Sequence, residues 1–247
     1  MAKNKNCFKQ SNSNAYASSF LSAAFLRGVA FGKNVSSFSC PHAIMSIADK
    51  ADILFAVKKA YIDMSPRTFV KDKSWWKNSD NVKSNGNERT KGMETAWQQA
   101  KETVFQWLCD EFYTYFHCGC PDFDDWHKKV CGEFLKLFSP VLDTYGYDGA
   151  ASLKYGKAQK IVNMTFKYLF CFDDACNYAG KFDECHMPID SYILKWYNDW
   201  HPNSKVTTVW SELDDMEYHD IQINIKNTLG SYNPFLAEFY IWAEYNS

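Results

Sequence analysis

Apolar residues recur every three or four positions along most of the chain, which is the periodicity of a helix that buries one side. The pattern predicts helices over residues 46–62, 94–116 and 121–138, each with an apolar stripe. The sequence contains no internal repeat and no convincing pair of alternating strands. We therefore predict an all-α fold.

The second half of the chain continues the helical pattern. Residues 157–172 are apolar nearly all round, so this helix is predicted to be central. Pro188 suits the first position of the next helix, and Ser211 suits the N-cap of a helix that continues to residue 229. The apolar stripe after Pro188 consists of Ile189, Tyr192, Ile193, Trp196 and Tyr197. Residues 234–245 are predicted to form a last helix.

A polar and basic stretch at about residues 63–93 separates the first two of these helices, and it contains Trp75 and Trp76. Residues 58–91 hold nine Lys or Arg against four Asp or Glu. Loops of this length in compact domains are usually functional or mobile. We predict one domain over residues 1–247 with a mobile basic loop at this place.

Composition supports a large core, because 46% of the residues are apolar and 17% are aromatic. Only 11 Gly and 7 Pro are present, which disfavours an all-β fold with many tight turns. The net charge is −2, but residues 173–247 carry 13 acidic against 4 basic side chains, so the first 172 residues carry +7. This asymmetry allows one face to meet a polyanion. An unevenly charged, solvated surface is the alternative interpretation.

The nine cysteines show no regular spacing and no C-x-x-C pair. They are typical of buried thiols in a reducing compartment, and we expect a cytoplasmic protein. A zinc site would need the cysteines and histidines of residues 117–120, 171–176 and 185–186 to come together, and we expect no metal. The N-terminal stretch favours an amphipathic helix over a signal peptide, since serines and Arg27 interrupt its apolar part. No run approaches the roughly 18 apolar residues of a membrane span, so we expect no membrane contact.

Lys160 and Lys167 lie seven residues apart, so they share one face of the central helix. Burial disfavours a charged ammonium, and a lysine held partly neutral can attack a sugar C1′ or a carbonyl carbon and form a Schiff base. The alternative is that the lysine stem lies in the core while the ammonium reaches water. Asp190 has a simple explanation of its own, because an acid at the start of a helix is favoured by the helix dipole.

The order of these residues is distinctive. A turn and Gly156 precede Lys160 on a buried helix, and Asp190 follows a proline about thirty residues later at the start of the next helix. This order resembles the helix-hairpin-helix DNA glycosylase superfamily, most closely the archaeal-type 8-oxoguanine DNA glycosylases. The resemblance implies that Lys160 is the nucleophile and Asp190 its catalytic partner. Lys157, one turn earlier, is the alternative nucleophile.

The resemblance also implies a base pocket and a DNA contact. Lys167 corresponds to a second lysine of the family, while Glu238 and Trp242 correspond to an acid and a tryptophan four residues apart in a late helix. The other implied positions are Met164 in the base pocket, where the family has an aromatic residue, and Lys154, Gly156 and Lys157 at the DNA phosphates. The catalytic region would span about residues 145–198, and the hairpin Gly-x-Gly is reduced to a single glycine.

We thus expect a DNA glycosylase with AP lyase activity that acts, as a monomer, on double-stranded DNA with a flipped-out base. The resemblance implies two helical lobes with a central cleft and a reaction that requires no metal or organic cofactor. Two other classes stay open: a non-catalytic helical DNA-binding protein, and an all-α protein-interaction module whose aromatics serve only as core. A Schiff-base enzyme for small carbonyl compounds normally uses a barrel of strands, which the pattern does not predict.

Overall fold

The computed structural model describes residues 45–64, 88–119, 122–144 and 153–245. Within these ranges the chain forms eight α-helices, two short 3₁₀ turns and no strand, which confirms the all-α prediction. The helices are α1 (Lys50–Asp63), α2 (Glu88–His117), α3 (Phe123–Thr144), α4 (Tyr155–Phe170), α5 (Ala179–Phe182), α6 (Ser191–Trp200), α7 (Asp215–Leu229) and α8 (Pro234–Tyr245). Among the described helices, none combines the length and the apolar character that crossing a bilayer requires.

Helix α4 lies at the centre of the fold. All its residues from Tyr155 to Leu169 are buried. Helices α1, α3 and α7 pack around it, together with the 3₁₀ turn Trp210–Glu212. The predicted central helix is confirmed, although it begins at Tyr155 rather than at residue 157 and ends at Phe170. Helix α6 packs against α8, so both bring side chains towards the same part of the core.

Aromatic side chains join α4 to its neighbours. The Phe166 ring lies 4.8 Å from Phe112, 5.4 Å from Tyr115 and 5.6 Å from Trp126, measured between centroids, mostly edge to face. Such pairs contribute about 0.5–1.5 kcal/mol each beyond the area that they bury. Helices α2, α3 and α4 are therefore held together by one aromatic cluster.

Two helix starts differ from the prediction, because acids cap them. Asp190 is the N-cap of α6, so this helix begins at Ser191 instead of Pro188. Helix α7 begins with a capping box of Asp214 and Glu217, whereas Ser211 lies in the preceding 3₁₀ turn. The prediction of Ser211 as N-cap is wrong, since Asp214 has its own acid three residues later.

Other boundaries shift by several residues. Asp49 caps α1, so residues 46–49 lie outside that helix. Helix α2 begins at Glu88, within the predicted loop, and α3 runs past Pro140 to Thr144. The predicted N-terminal helix, residues 65–87 of the basic loop, and residues 145–152 of the predicted catalytic region lie outside the described residues.

Candidate active site

Lys160 and Asp190 meet in the core. The Lys160 Nζ donates to Asp190 Oδ2 at 2.8 Å, and the residues are only 7% and 9% exposed. Lys160 projects from the middle of α4, while Asp190 closes the loop that leads into α6. The structure thus brings together the two residues that the sequence predicts as catalytic.

The Asp190 carboxylate is held from both sides. Its Oδ1 accepts the backbone N–H groups of Tyr192 and Ile193 at 2.9 and 3.0 Å, which caps α6. Burial acts to raise the pKa of Asp190, but the Lys160 ammonium and the N–H of Ile193 outweigh it and lower the pKa below its usual value. The group is therefore an ionised carboxylate at neutral pH.

A second lysine–acid pair lies deeper on the same face of α4. Lys167 and Glu238 of α8 form an ion pair between Nζ and Oε2, and they are 1% and 0% exposed. The Glu238 Oε1 accepts no hydrogen bond from the described residues. The predicted base-pocket residues Lys167 and Glu238 are thus in contact, in a fully enclosed place.

Burial dominates the charge balance of this inner pair. It lowers the pKa of Lys167 below its ordinary value, although Glu238 acts to raise it. It likewise raises the pKa of Glu238, although Lys167 acts to lower it. Lys160 and Asp190 also act electrostatically on both groups, so two cations and two anions form one neutral cluster.

Aromatic rings line the inner pair. The Lys167 Nζ lies 4.7 Å from the centroid of Phe239 and 5.7 Å from that of Trp242. Trp242 is half-buried, and its ring centroid lies 6.5 Å from that of Tyr192. Met164 is buried on α4, in the turn between the two lysines. Sequence reasoning missed Phe239, which follows Glu238 in a helix that is apolar on several sides.

The residues predicted to contact DNA lie where α4 begins. Lys154 is the N-cap residue and is half-buried, whereas Lys157 is buried. The Gly156 N–H donates to Leu213 O at 2.9 Å, and a Cβ on Gly156 would overlap the carbonyl oxygen of Trp210. A phosphate would reach this amide only if the turn Trp210–Glu212 moved. Close packing against Trp210 is enough to explain the glycine, because only a hydrogen atom fits in place of a side chain.

Sequence reasoning also missed a buried polar network beside the Lys160–Asp190 pair. The side-chain amide of Gln159 donates to Ile189 O at 2.9 Å and accepts from Ile189 N at 3.2 Å. Asn163 donates to Gln159 Oε1 and to Tyr218 OH, and its Oδ1 pairs with His127 Nε2 at 3.0 Å. The polar residues Gln159 and Asn163 inside an apolar helix were the signal that could have revealed it.

The network continues to the surface through His186. Its Nδ1 lies 2.9 Å from Tyr218 OH and its Nε2 lies 2.7 Å from Asp124 Oδ1. Burial lowers the pKa of His186, and the hydrogen bond from His186 lowers that of Asp124. No three His, Cys, Asp or Glu side chains form a metal-binding group in the part of the chain that the structure describes.

A pocket of about 770 Å³ lies at this end of the network. His186, His219, Lys226 and Tyr240 are among its lining residues, and neither lysine–acid pair lines it. The pocket and the Lys160–Asp190 pair are therefore separate places, linked by the hydrogen bonds of the network.

Comparisons of the chain with protein-family models, curated proteins and solved structures found no match. A functional assignment therefore rests on the geometry of the site. Its strongest feature is the buried contact between Lys160 and Asp190.

Proposed function

We propose that the protein is a DNA glycosylase with AP lyase activity, which removes 8-oxoguanine through a Schiff base at Lys160. The observation that carries the proposal is the 2.8 Å contact between Lys160 and Asp190 in the core. A lysine nucleophile needs a base beside it to take its proton, and a carboxylate at hydrogen-bond distance meets that requirement.

The first step is displacement of the base. Asp190 passes a proton from the Lys160 ammonium to the departing base and is then ionised again, while the neutral amine attacks C1′. The bond between C1′ and the base breaks, and its electron pair leaves with the base, which is then protonated. Ionised Asp190 also stabilises positive charge that develops on the sugar.

The second step is strand cleavage. The attached nitrogen loses one proton, and its lone pair forms the double bond to C1′ while the bond between C1′ and O4′ breaks. O4′ takes up a proton, so the sugar ring is open and a protonated Schiff base joins Lys160 to C1′. Removal of a C2′ proton then breaks the bond between C3′ and its oxygen. Water finally hydrolyses the Schiff base and returns the free lysine, so no external oxidant or reductant is needed.

The inner pair supplies the base recognition in this proposal. 8-Oxoguanine differs from guanine in carrying an N7–H donor and an O8 acceptor. Glu238 Oε1, which accepts no hydrogen bond from the described residues, is a suitable acceptor for N7–H, and Lys167 is a suitable donor to O8. Trp242 offers a stacking face, and Met164 is the remaining residue that the proposal assigns to the base pocket. Both pairs are buried, so base entry requires α8 to shift relative to α4.

The proposal also requires contacts to the DNA backbone while the nucleotide is flipped out. A glycosylase must flip its nucleotide out of the stack, at a cost of about a few kcal/mol. Lys154, Gly156 and Lys157 lie at the start of α4, one turn from the nucleophile, and they would hold the phosphates once the turn Trp210–Glu212 moved away. The proposal includes two helical lobes on either side of this place.

A non-catalytic helical protein is the second candidate. The enclosure of the Lys167–Glu238 pair favours it, because a fully buried ion pair can serve packing alone. Such a protein would either bind duplex DNA without altering it or bind another protein. It would form no covalent bond to an abasic site.

Borohydride trapping separates these candidates. The protein is incubated with duplexes that carry 8-oxoguanine, an abasic site or only normal bases, and the mixture is reduced. Lys160→Ala and Lys157→Ala are compared with Lys205→Ala, which removes an exposed lysine far along the chain from α4.

A covalent complex that disappears only in Lys160→Ala, and that forms with 8-oxoguanine but not with normal bases, is the expected result. Loss in Lys157→Ala instead would move the nucleophile by one turn. The absence of a complex with every duplex, the abasic one included, would overturn the enzyme proposal.

A further inference from the structure

The pocket at the outer end of the polar network has the size of a ligand site. Its volume of about 770 Å³ lies within the range of about 300–1,000 Å³ that is typical for small-molecule sites. The start of α3, the chain around α5, the α7 helix and the start of α8 all contribute to its wall. The pocket therefore depends on the folded arrangement of four elements, not on one surface loop.

Negative charge dominates the wall. Two elements supply four carboxylates: Asp122 and Asp124 lie where α3 begins, and Asp183 and Glu184 follow α5. Lys226 is the one lysine among the lining residues. His186 is uncharged at neutral pH because burial lowers its pKa. This excess of carboxylates attracts cations and repels phosphates.

Aromatic rings form the apolar part of the wall. Phe123 and Tyr115 are buried side chains of the core that present part of their surface to the pocket, and Tyr232 and Tyr240 lie at its α8 end. A ring face attracts a cation in addition to the apolar part of a ligand. Carboxylates and rings together are the chemistry that recognises an organic ammonium group with an apolar body.

We propose that this pocket binds a small organic cation, an amine attached to an aromatic or aliphatic group. The ammonium lies against Asp183 and Glu184, where it competes with Lys226, whose Nζ lies 3.7 Å from Glu184 Oε2. The apolar group lies among the aromatic side chains. Asp124 is already engaged by His186 at 2.7 Å, so it stabilises the wall instead of the ligand. This site is separate from the proposed DNA activity, because neither lysine–acid pair lines the pocket.

Calorimetric titration of the full chain with three probes of equal shape tests the proposal. Phenethylamine carries the cation, 2-phenylethanol is neutral and phenylacetate is an anion. We expect phenethylamine to bind about tenfold more tightly than 2-phenylethanol. Phenylacetate is expected to give no measurable binding.

Two double variants locate the site. Asp183→Asn with Glu184→Gln is expected to weaken phenethylamine about tenfold and to leave 2-phenylethanol unchanged. Glu102→Gln with Glu133→Gln removes the same charge from α2 and α3, outside the pocket, and is expected to change neither.

Three results would overturn the proposal. The first is that phenethylamine gives no binding heat. The second is that phenethylamine binds no more tightly than phenylacetate. Equal weakening by both double variants would show a general charge effect and no pocket.

Discussion

Asp190 binds Lys160 with one carboxylate oxygen and caps helix α6 with the other. Oδ2 lies 2.8 Å from Lys160 Nζ, while Oδ1 accepts the first free N–H groups of the helix. The cap fixes the direction of the carboxylate, because the helix start allows little rotation. The position of the acid relative to the lysine is therefore set by secondary structure as well as by charge.

The two roles of Asp190 can be separated by substitution. Asp190→Asn keeps an amide oxygen for the cap but removes the charge opposite Lys160, which should destabilise the fold by about 3–5 kcal/mol. Asp190→Ala also removes the cap and should cost about 1 kcal/mol more. Urea denaturation followed by circular dichroism measures both values.

The N-cap of α1 provides the control for that comparison. Asp49 caps its helix through Ala51 N at 2.7 Å and is exposed. Asp49→Asn should be nearly neutral and Asp49→Ala should cost about 1 kcal/mol. An Asp190→Asn variant as stable as the unchanged protein would show that the ion pair contributes nothing.

The inner pair should behave as a coupled unit. Glu238→Gln leaves the Lys167 ammonium buried without its counter-ion, and we expect a loss of about 3–5 kcal/mol. Lys167→Met should lower the stability by a similar amount, since it leaves the Glu238 carboxylate buried without its counter-ion. The double variant should recover most of the loss, because neither Lys167 nor Glu238 then leaves an unpaired charge in the core. A double-mutant cycle of unfolding free energies measures the coupling, and additive losses would contradict it.

The sequence predicted the central helix, because residues 157–172 are apolar nearly all round. The family resemblance identified Asp190 as the partner of Lys160 and placed Lys167 and Glu238 in one pocket, but the ion pair between Lys167 and Glu238 was not predicted. The sequence pattern could not predict that α6 starts at Ser191, because several acids and Pro188 are all suitable signals for the start of a helix. The bonds of Gln159 and Asn163 depend on tertiary contacts that no local pattern contains.

Gly156 should not tolerate a side chain. A Cβ there would overlap the Trp210 carbonyl oxygen, which belongs to the backbone and cannot rotate away. We expect Gly156→Ala to cost about 1–3 kcal/mol, as overpacking usually does. Gly132→Ala is the matched control, because nothing lies within 4 Å of its Cβ and the site is inside α3. That variant should gain about 0.5–1 kcal/mol. Thermal unfolding measures the midpoint temperature of both variants. A change in the same direction for Gly156→Ala and Gly132→Ala would contradict the steric role of Gly156.

Stability should fall as the solution is acidified below the ordinary pKa of histidine. Burial holds the pKa of His127 well below 6.5 in the folded state, so below that pH the unfolded chain binds a proton that the folded chain does not. The free energy of unfolding then decreases with falling pH, by up to about 1.4 kcal/mol per pH unit for this group. His186 adds to the effect in the same direction.

Urea denaturation between about pH 5 and 6.5 checks this slope. His127→Gln should reduce it, because the titrating group is gone. An unaltered slope in His127→Gln would contradict the assignment.

The side-chain amide of Gln159 does for Ile189 what a neighbouring β-strand would do. It exchanges a donor and an acceptor with both backbone groups of one residue, as two paired strand residues do. Among the described residues, which form no strand, this amide thereby fixes the segment that leads into α6. Since Ile189 directly precedes Asp190, this single amide on α4 sets the orientation of the peptide that carries the acid towards Lys160.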